Sequence, residues 1–372
     1  MKHTNSWICS RLIGLLVFSV GLHGQTLKPA QANMDTSHQT IWVDGGQLTL
    51  EGQGWSQTKA HYGRLPANVE GRIPEAVWDL GQYSAGLSLS FTTNAEHIKV
   101  RWTLLDNNLA MPHMPATGVS GIDLYEKTED GRWRFINNGR PTSLINMVEF
   151  QVTPNSELRL YLPLYNGVTS VEIGIPASQT LSAVKAKGKW PFSRKPRPIV
   201  FYGTSITQGG CVSRPGLAVS SIISREMDIP AINLGFSGSG KMEPEMAELL
   251  NELDPAVYVL DCLWNMDKEM VETRIKPFVK FLRQHHPRTP ILLVEDSSFE
   301  NVTPTPKGRI LRRLYSELQA EEVSHLHFLT SEGMLGDDFE GTVDGVHHND
   351  LGMMRQAEVF EKKLSAILNS RE

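Results

Sequence analysis

Pro198-Ile-Val-Phe-Tyr-Gly-Thr-Ser-Ile-Thr-Gln-Gly-Gly210 is the stretch on which the fold turns. It opens with a short apolar run of the kind that makes a buried parallel strand. The later run Leu217-Ala-Val-Ser-Ser-Ile-Ile223 reads as the buried face of a helix. A small polar loop therefore lies between a strand and a helix. In a parallel α/β sheet such a loop sits at the carboxyl edge of the strands, where active sites collect and helix starts offer unpaired N–H groups. Ser205 lies in that loop, between Gly203 and Gly209. Taken alone it would read equally well as a helix N-cap, the commoner role of a serine before a helix. Nor is this the Gly-x-Ser-x-Gly elbow of α/β-hydrolases, because Thr207 holds the fifth position.

Toward the C-terminus, short apolar runs alternate with helical patterns. Lys241 to Leu253, Lys268 to His286, Thr305 to Val323 and Asp350 to Leu368 read as helices; Pro290 to Asp296 and His325 to Leu329 read as strands. Counted from Ile199, this predicts five short strands separated by helices, the pattern of a doubly wound parallel sheet.

Three further stretches follow Ser205 in chain order: Asn233-Leu-Gly-Phe-Ser-Gly-Ser-Gly240, Val257-Tyr-Val-Leu-Asp-Cys-Leu-Trp-Asn265 and Asp344-Gly-Val-His-His-Asn-Asp-Leu-Gly352. With the Ser205 loop they resemble the Ser, Gly, Asn and His blocks of the SGNH (GDSL-type) hydrolases, over roughly Pro198 to the C-terminus. The resemblance implies a flavodoxin-like strand order, 2-1-3-4-5. It also implies roles: Ser205 as nucleophile, His347 as base and Asp344 as its carboxylate partner. The Ser205 N–H, the Gly238 N–H and the Asn265 amide would be the oxyanion donors. In this family the base stands three residues after the Asp, which selects His347. The next position is commonly Pro, so His348 departs from the pattern and is expected to be a rim or packing residue. The chemistry suits the residue types: a serine hydroxyl needs a base to take its proton, and an acyl transition state needs fixed donors for its oxyanion. Gly235, Gly238 and Gly240 do not make a dinucleotide fingerprint. Asn265 also reads as a helix N-cap before Met266.

From about Ile41 to Pro176 the pattern changes to short alternating runs, among them Ala85-Gly-Leu-Ser-Leu-Ser-Phe91, Ile98-Lys-Val-Arg-Trp102, Leu158-Arg-Leu-Tyr-Leu162 and Val171-Glu-Ile-Gly-Ile175. Half-buried antiparallel strands alternate in this way, so an N-terminal β-sandwich of jelly-roll type is expected, without long helices. Gly121-Ile-Asp-Leu-Tyr125 resembles the Gly-x-Asp-Leu-Tyr signature of the sandwich domain that precedes some SGNH catalytic domains. Just before it, Met111 to Gly121 forms an irregular insert, readable as a wall of the substrate site or as a seal between domains. His113 there and Asn107 on its approach, with Trp264 beside Asn265, are candidate substrate contacts.

The 372 residues suit two domains, and 40% hydrophobic with 21% charged residues is enough to bury full cores without staples. Residues 1–32 read as a signal peptide, with Lys2 and Arg11 before an apolar run too short to span a bilayer; the cleavage site is open. The expected boundaries are 40–180 for the sandwich, 181–197 for a basic linker and 198–372 for the catalytic domain. In a bacterial source the mature protein would be periplasmic or secreted. Cys211 and Cys262 would then meet an oxidising compartment, as a disulfide or as two buried thiols. A net charge of −5 points to neither nucleic acid nor an anionic membrane as partner. The histidine pairs lack companions at zinc spacing and there is no Walker loop, so neither metal nor cofactor is expected. The family resemblance implies a secreted serine esterase acting on short acyl esters, above all acetyl, of a carbohydrate. An acyltransferase, lipase or thioesterase would use the same site, and an inactive glycan-binding scaffold is the reading from another class.

Overall fold

The computed structural model describes residues 32–35, 39–184, 197–298 and 303–370. All but Ala32 of the expected signal peptide, and residues 185–196 of the basic linker, lie outside the described residues.

The N-terminal half is built from β1 (Ala32–Asp35), β2 (Thr40–Asp44), β3 (Thr49–Glu51), β4 (Ser88–Thr93), β5 (His97–Leu104), β6 (Ile122–Lys127), β7 (Trp133–Gly139), β8 (Ile145–Gln151), β9 (Glu157–Tyr161), β10 (Val168–Pro176) and β11 (Leu181–Ala183). Two short helices interrupt it, α1 (Glu75–Gly81) and α2 (Ala116–Val119). The strands form two antiparallel sheets, β1-β2-β10-β5-β8 and β11-β4-β9-β6-β7, with β3 beside β4. Between the sheets lies a core that includes Leu89, Phe91, Val100, Trp102, Leu160 and Ile173. Along β5 burial alternates residue by residue, as the sequence predicts for a strand with one wet face. Leu181 pairs with Thr93, so the sandwich runs three residues past the expected limit at 180.

The second sheet departs from that alternation. Leu158 to Tyr161 in β9 and Ile122 to Glu126 in β6 are buried on both faces. The reason is a docked partner: the outer face of this sheet lies against the C-terminal half. Asp123 accepts from the Gly216 N–H at 3.0 Å and from the Arg214 guanidinium at 2.8 Å. The Tyr161 hydroxyl donates to Ser221 O at 3.4 Å, and the Arg225 guanidinium stacks over Tyr125 at 4.0 Å.

The C-terminal half alternates strand and helix: β12 (Ile199–Gly203), α3 (Ser205–Gln208), α4 (Val219–Glu226), β13 (Ala231–Gly235), α5 (Pro244–Leu250), β14 (Val257–Asp261), α6 (Lys268–His285), β15 (Ile291–Val294), α7 (Pro306–Ala320), β16 (Leu326–Leu329) and α8 (Asp350–Asn369). The sheet is parallel with order β13-β12-β14-β15-β16, which is 2-1-3-4-5. Every residue of β12, β13 and β14 is buried, as a sheet covered on both faces requires. Phe201, Ile222 and Phe360 fill the side under α4 and α8. Tyr202, Leu260 and Phe278 fill the side under α5, α6 and α7.

Helices do not complete that second side alone. Leu65, Val69, Ile73, Val77 and Trp78, from the β3 to β4 connection, pack into the same core as Tyr202 and Phe278. The connection carries α1, which begins directly after Pro74 and which the alternating pattern did not predict. By packing, this part of the sandwich half belongs to the catalytic half.

Candidate active site

β12 ends at Gly203, and the chain turns at once into α3. Thr204 caps that helix: its Oγ1 accepts from the Ile206 N–H at 3.4 Å. The capping role thus falls to Thr204, and the Ser205 hydroxyl is left for another partner. His347 Nε2 stands 3.0 Å from Ser205 Oγ, and His347 Nδ1 stands 2.7 Å from Asp344 Oδ2. A carboxylate only accepts, so Nδ1 carries the imidazole proton and Nε2 turns its lone pair toward the serine. The other carboxylate oxygen accepts the backbone N–H groups of Val346, at 3.0 Å, and His347, at 2.7 Å. Burial works to raise the Asp344 carboxyl. The hydrogen bonds from the His347 ring and the two N–H groups outweigh it and hold the group below its ordinary range. A base so oriented can take the proton of a hydroxyl as that hydroxyl attacks.

The Gly block follows β13. Gly238 has φ of +67°, the left-handed region that glycine adopts without strain, and a side chain there would meet nothing. Gly235 is the close-packing glycine instead, since a Cβ would fall 2.1 Å from Gln208 N. Neither the Ser205 N–H nor the Gly238 N–H has a hydrogen-bond acceptor among the described residues. Asn265 Nδ2 donates to Ser239 O at 2.6 Å, which occupies one of its two hydrogens. It does not cap a helix, because Asp267 caps α6. The blocks are tied to one another: the Ser237 N–H donates to Gln208 Oε1 at 2.9 Å, joining the Gly block to the Ser block.

His348 is not a rim residue. It is fully buried, with Nδ1 3.1 Å from Gln356 Oε1 and Nε2 3.3 Å from Ser297 Oγ. Burial lowers its pKa to about 4, so it stays uncharged at neutral pH. The candidate substrate contacts divide. His113 is exposed, its ring centroid 5.8 Å from that of His347. Trp264 is half-buried and meets the His348 ring edge-on at 6.4 Å. Asn107 is exposed, and no described contact links it to these residues. The insert that carries His113 also seals the junction: Met114 is buried in the C-terminal core, and Thr117 Oγ1 donates to Ser213 O at 2.6 Å. Cys211 and Cys262 are buried and unpaired, and burial, with Asp344 nearby, pushes the Cys211 thiol up to about 12.

Residues 196–365 match the model of the GDSL-like lipase/acylhydrolase family, and residues 40–181 match the GxDLY model, the N-terminus of SGNH hydrolase-type esterases. A Bacteroides ovatus chain assigned as a GDSL-like lipase is 34% identical, with a TM-score of 0.80 over 89% of this chain and 98% of its own. This protein belongs to the GDSL-like lipase/acylhydrolase family. Two more distant structures share the GDSL fold. One is the salicylyl-acyltransferase SsfX3 from a tetracycline biosynthetic pathway, at 18% identity and TM-score 0.70 over 88% of this chain and 98% of its own. The other is a Clostridium thermocellum family 2 carbohydrate esterase in complex with cellohexaose, at 13% and 0.51 over 77% and 93%. No curated protein matches the sequence.

Sequence reasoning missed the residues that brace this GDSL site from the sandwich half. Arg64 is one: its guanidinium donates to Asn233 O at 3.1 Å and Gly235 O at 2.8 Å, at the end of β13. Tyr165 is another, with its hydroxyl 3.2 Å from Ser205 O. Both lie far from the four blocks in sequence and carry no local motif. Gln208 lies inside the Ser block, where its position alone was a signal.

Proposed function

We propose that this GDSL-family protein is an exported serine esterase that removes short acyl groups, above all acetyl, from a carbohydrate by way of an acyl-enzyme. The observation that carries the reading is the unbroken line Asp344 Oδ2, His347 Nδ1, His347 Nε2, Ser205 Oγ, with spacings of 2.7 and 3.0 Å. Ser205 Oγ attacks the ester carbonyl carbon as His347 Nε2 takes its proton. The oxyanion that forms is held by the Ser205 N–H, the Gly238 N–H and the free Asn265 amide hydrogen. His347 then gives the proton to the leaving sugar oxygen, and the acyl group stays on Ser205. Water, deprotonated by the same nitrogen, attacks that ester and releases the acid and the free serine.

Export rests on residues 1–32, whose charge and apolar run suit a signal peptide. The carbohydrate rests on the likeness to the carbohydrate esterase with its bound cellohexaose, and on exposed His113 beside His347, a donor within reach of a sugar bound at the base. Purified protein should hydrolyse a chromogenic acetate and release acetate from at least one member of a panel of acetylated polysaccharides. Activity on the small acetate with no release from any polysaccharide would remove the carbohydrate. Inactivity on every ester would remove the enzyme. The likeness to the salicylyl-acyltransferase favours a second reading, transfer of the acyl group to an alcohol instead of water. An added sugar acceptor that captures most of the acyl group would establish it.

A further inference from the structure

Two arms of the Ser205 site, the α3 turn and the Gly238 loop, are tied to a segment that belongs to neither. The connection from β9 to β10 runs beneath them and carries Leu164 and Tyr165. Its path is set by the insert, since the Leu164 and Tyr165 N–H groups donate to Gly118 O at 3.3 Å and Val119 O at 3.1 Å. The Tyr165 hydroxyl donates to Ser205 O at 3.2 Å. It therefore holds the residue that bears the first N–H donor. Gln208 makes a parallel strut, donating to Leu164 O at 3.0 Å and accepting from the Ser237 N–H at 2.9 Å. Space is closed around the phenol as well: a Cβ at Gly210 would fall 2.6 Å from its oxygen.

We propose that Tyr165, a residue of the sandwich half, is a positioning residue of the oxyanion hole: its hydroxyl holds Ser205 O while Gln208 ties the adjoining Leu164 carbonyl to the Ser237 N–H, so that this one segment sets the spacing of the Ser205 and Gly238 N–H donors. This rests on the esterase reading of the site. Oxyanion donors act through placement fixed before the charge develops, so a bridge between them serves the transition state more than the bound ester. Docking of the halves has separate supports, in Asp123 with Arg214 and Gly216, so a bridge here is not needed to hold the two together.

Tyr165→Phe keeps the ring and deletes the hydroxyl that holds Ser205 O. On a small chromogenic acetate, measured per titrated Ser205 and well below the melting temperature, kcat should fall about tenfold with KM within about twofold, the effect of displacing donors by a fraction of an ångström. Labelling of Ser205 by a fluorophosphonate, which builds charge on an oxygen in the same hole, should slow by a similar factor. Gln208→Met, which cuts the parallel strut to Ser237, should act in the same direction. Unchanged kcat, a rise in KM alone, or a lower melting temperature with kcat intact would each overturn the proposal. Labelling separates it from the reading beneath it. A wild type that labels but turns over no ester removes the esterase and leaves the labelling rates of the two proteins to decide on Tyr165. A wild type that does not label removes both.

Discussion

The Ser205 side of the site and the His347 side are built by opposite means. Ser205 is 7% exposed, every residue of α3 is buried, and its surroundings are held from both halves of the molecule. Asp344 and His347 stand on the loop between β16 and α8, with side chains 43% and 27% exposed, and nearby Phe339 is 73% exposed. That loop is bonded within itself and also to the Ser block, where the Cys211 N–H donates to His348 O at 2.9 Å. Asp344 binds the N–H groups that follow it, the Val343 N–H donates to His347 O at 2.9 Å, and Asn349 Nδ2 donates to Glu340 O at 2.6 Å. Ser205 and its neighbours are thus fixed by packing, whereas His347 is fixed by short hydrogen bonds at the surface. Changes on the first side that cut a packed hydrogen bond should register in stability as well as rate, and changes on the second in rate alone.

The largest expected effect removes the proposed nucleophile. Ser205→Ala should lower kcat by on the order of 10⁵- to 10⁶-fold on an acetyl ester, with a nearly unchanged melting temperature because one oxygen is lost without a cavity. Residual activity near wild type would mean another nucleophile. Asp344→Asn tests the surface side: kcat should fall by on the order of 10³- to 10⁴-fold through a misoriented imidazole, with thermal stability intact. A melting temperature several degrees lower would show that the loop depends on that carboxylate and would break the contrast. Asn265→Ala tests the packed side. Turnover should drop by about a hundred- to a thousandfold, and loss of the bond to Ser239 O should cost about 1 kcal/mol in urea unfolding. A change confined to KM would make Asn265 a ground-state contact instead.

His348 is the joint between the two sides, next to the surface base yet wholly buried. Its folded pKa of about 4 lies below the ordinary value of 6.5. Between those values the unfolded chain binds a proton that the folded one refuses. Its contribution is therefore complete above about pH 6.5 and is lost as pH falls toward 4, by roughly 3 kcal/mol. His348→Gln should flatten this acid limb in urea unfolding followed from pH 7 to pH 4.5, and parallel curves for the two proteins would exclude His348 as its source.

The parallel sheet and its blocks were legible because apolar runs of five residues have no other use at that spacing, and because Ser205, Asn265, Asp344 and His347 sit inside local patterns. What escaped was determined at a distance. Leu65, Val69, Ile73 and Val77 are visibly apolar, but Pro66 and Pro74 break any helical period, and their partners, such as Tyr202 and Phe278, come more than a hundred residues later. Arg159 and Tyr161 alternate with leucines and so look like a wet face. They are buried because α4 covers them, which no strand can announce about itself. His348 differs from His347 only in direction, and a sequence has none. Asn107 looked suitable by composition and lies apart.

The packing of the β3 to β4 connection into the catalytic core has a consequence for inheritance. A crossover in the basic stretch before Pro198 would look clean in sequence, dividing sandwich from hydrolase. Yet it would separate Leu65, Val69 and Trp78 from Tyr202, and Arg64 from the carbonyls of Asn233 and Gly235. A recombinant carrying a foreign sandwich would start with an uncovered apolar face and an unbraced strand end. The unit that can be passed on intact is the pair, so a lineage can change its substrate by altering residues within the pair far more readily than by exchanging one member of it.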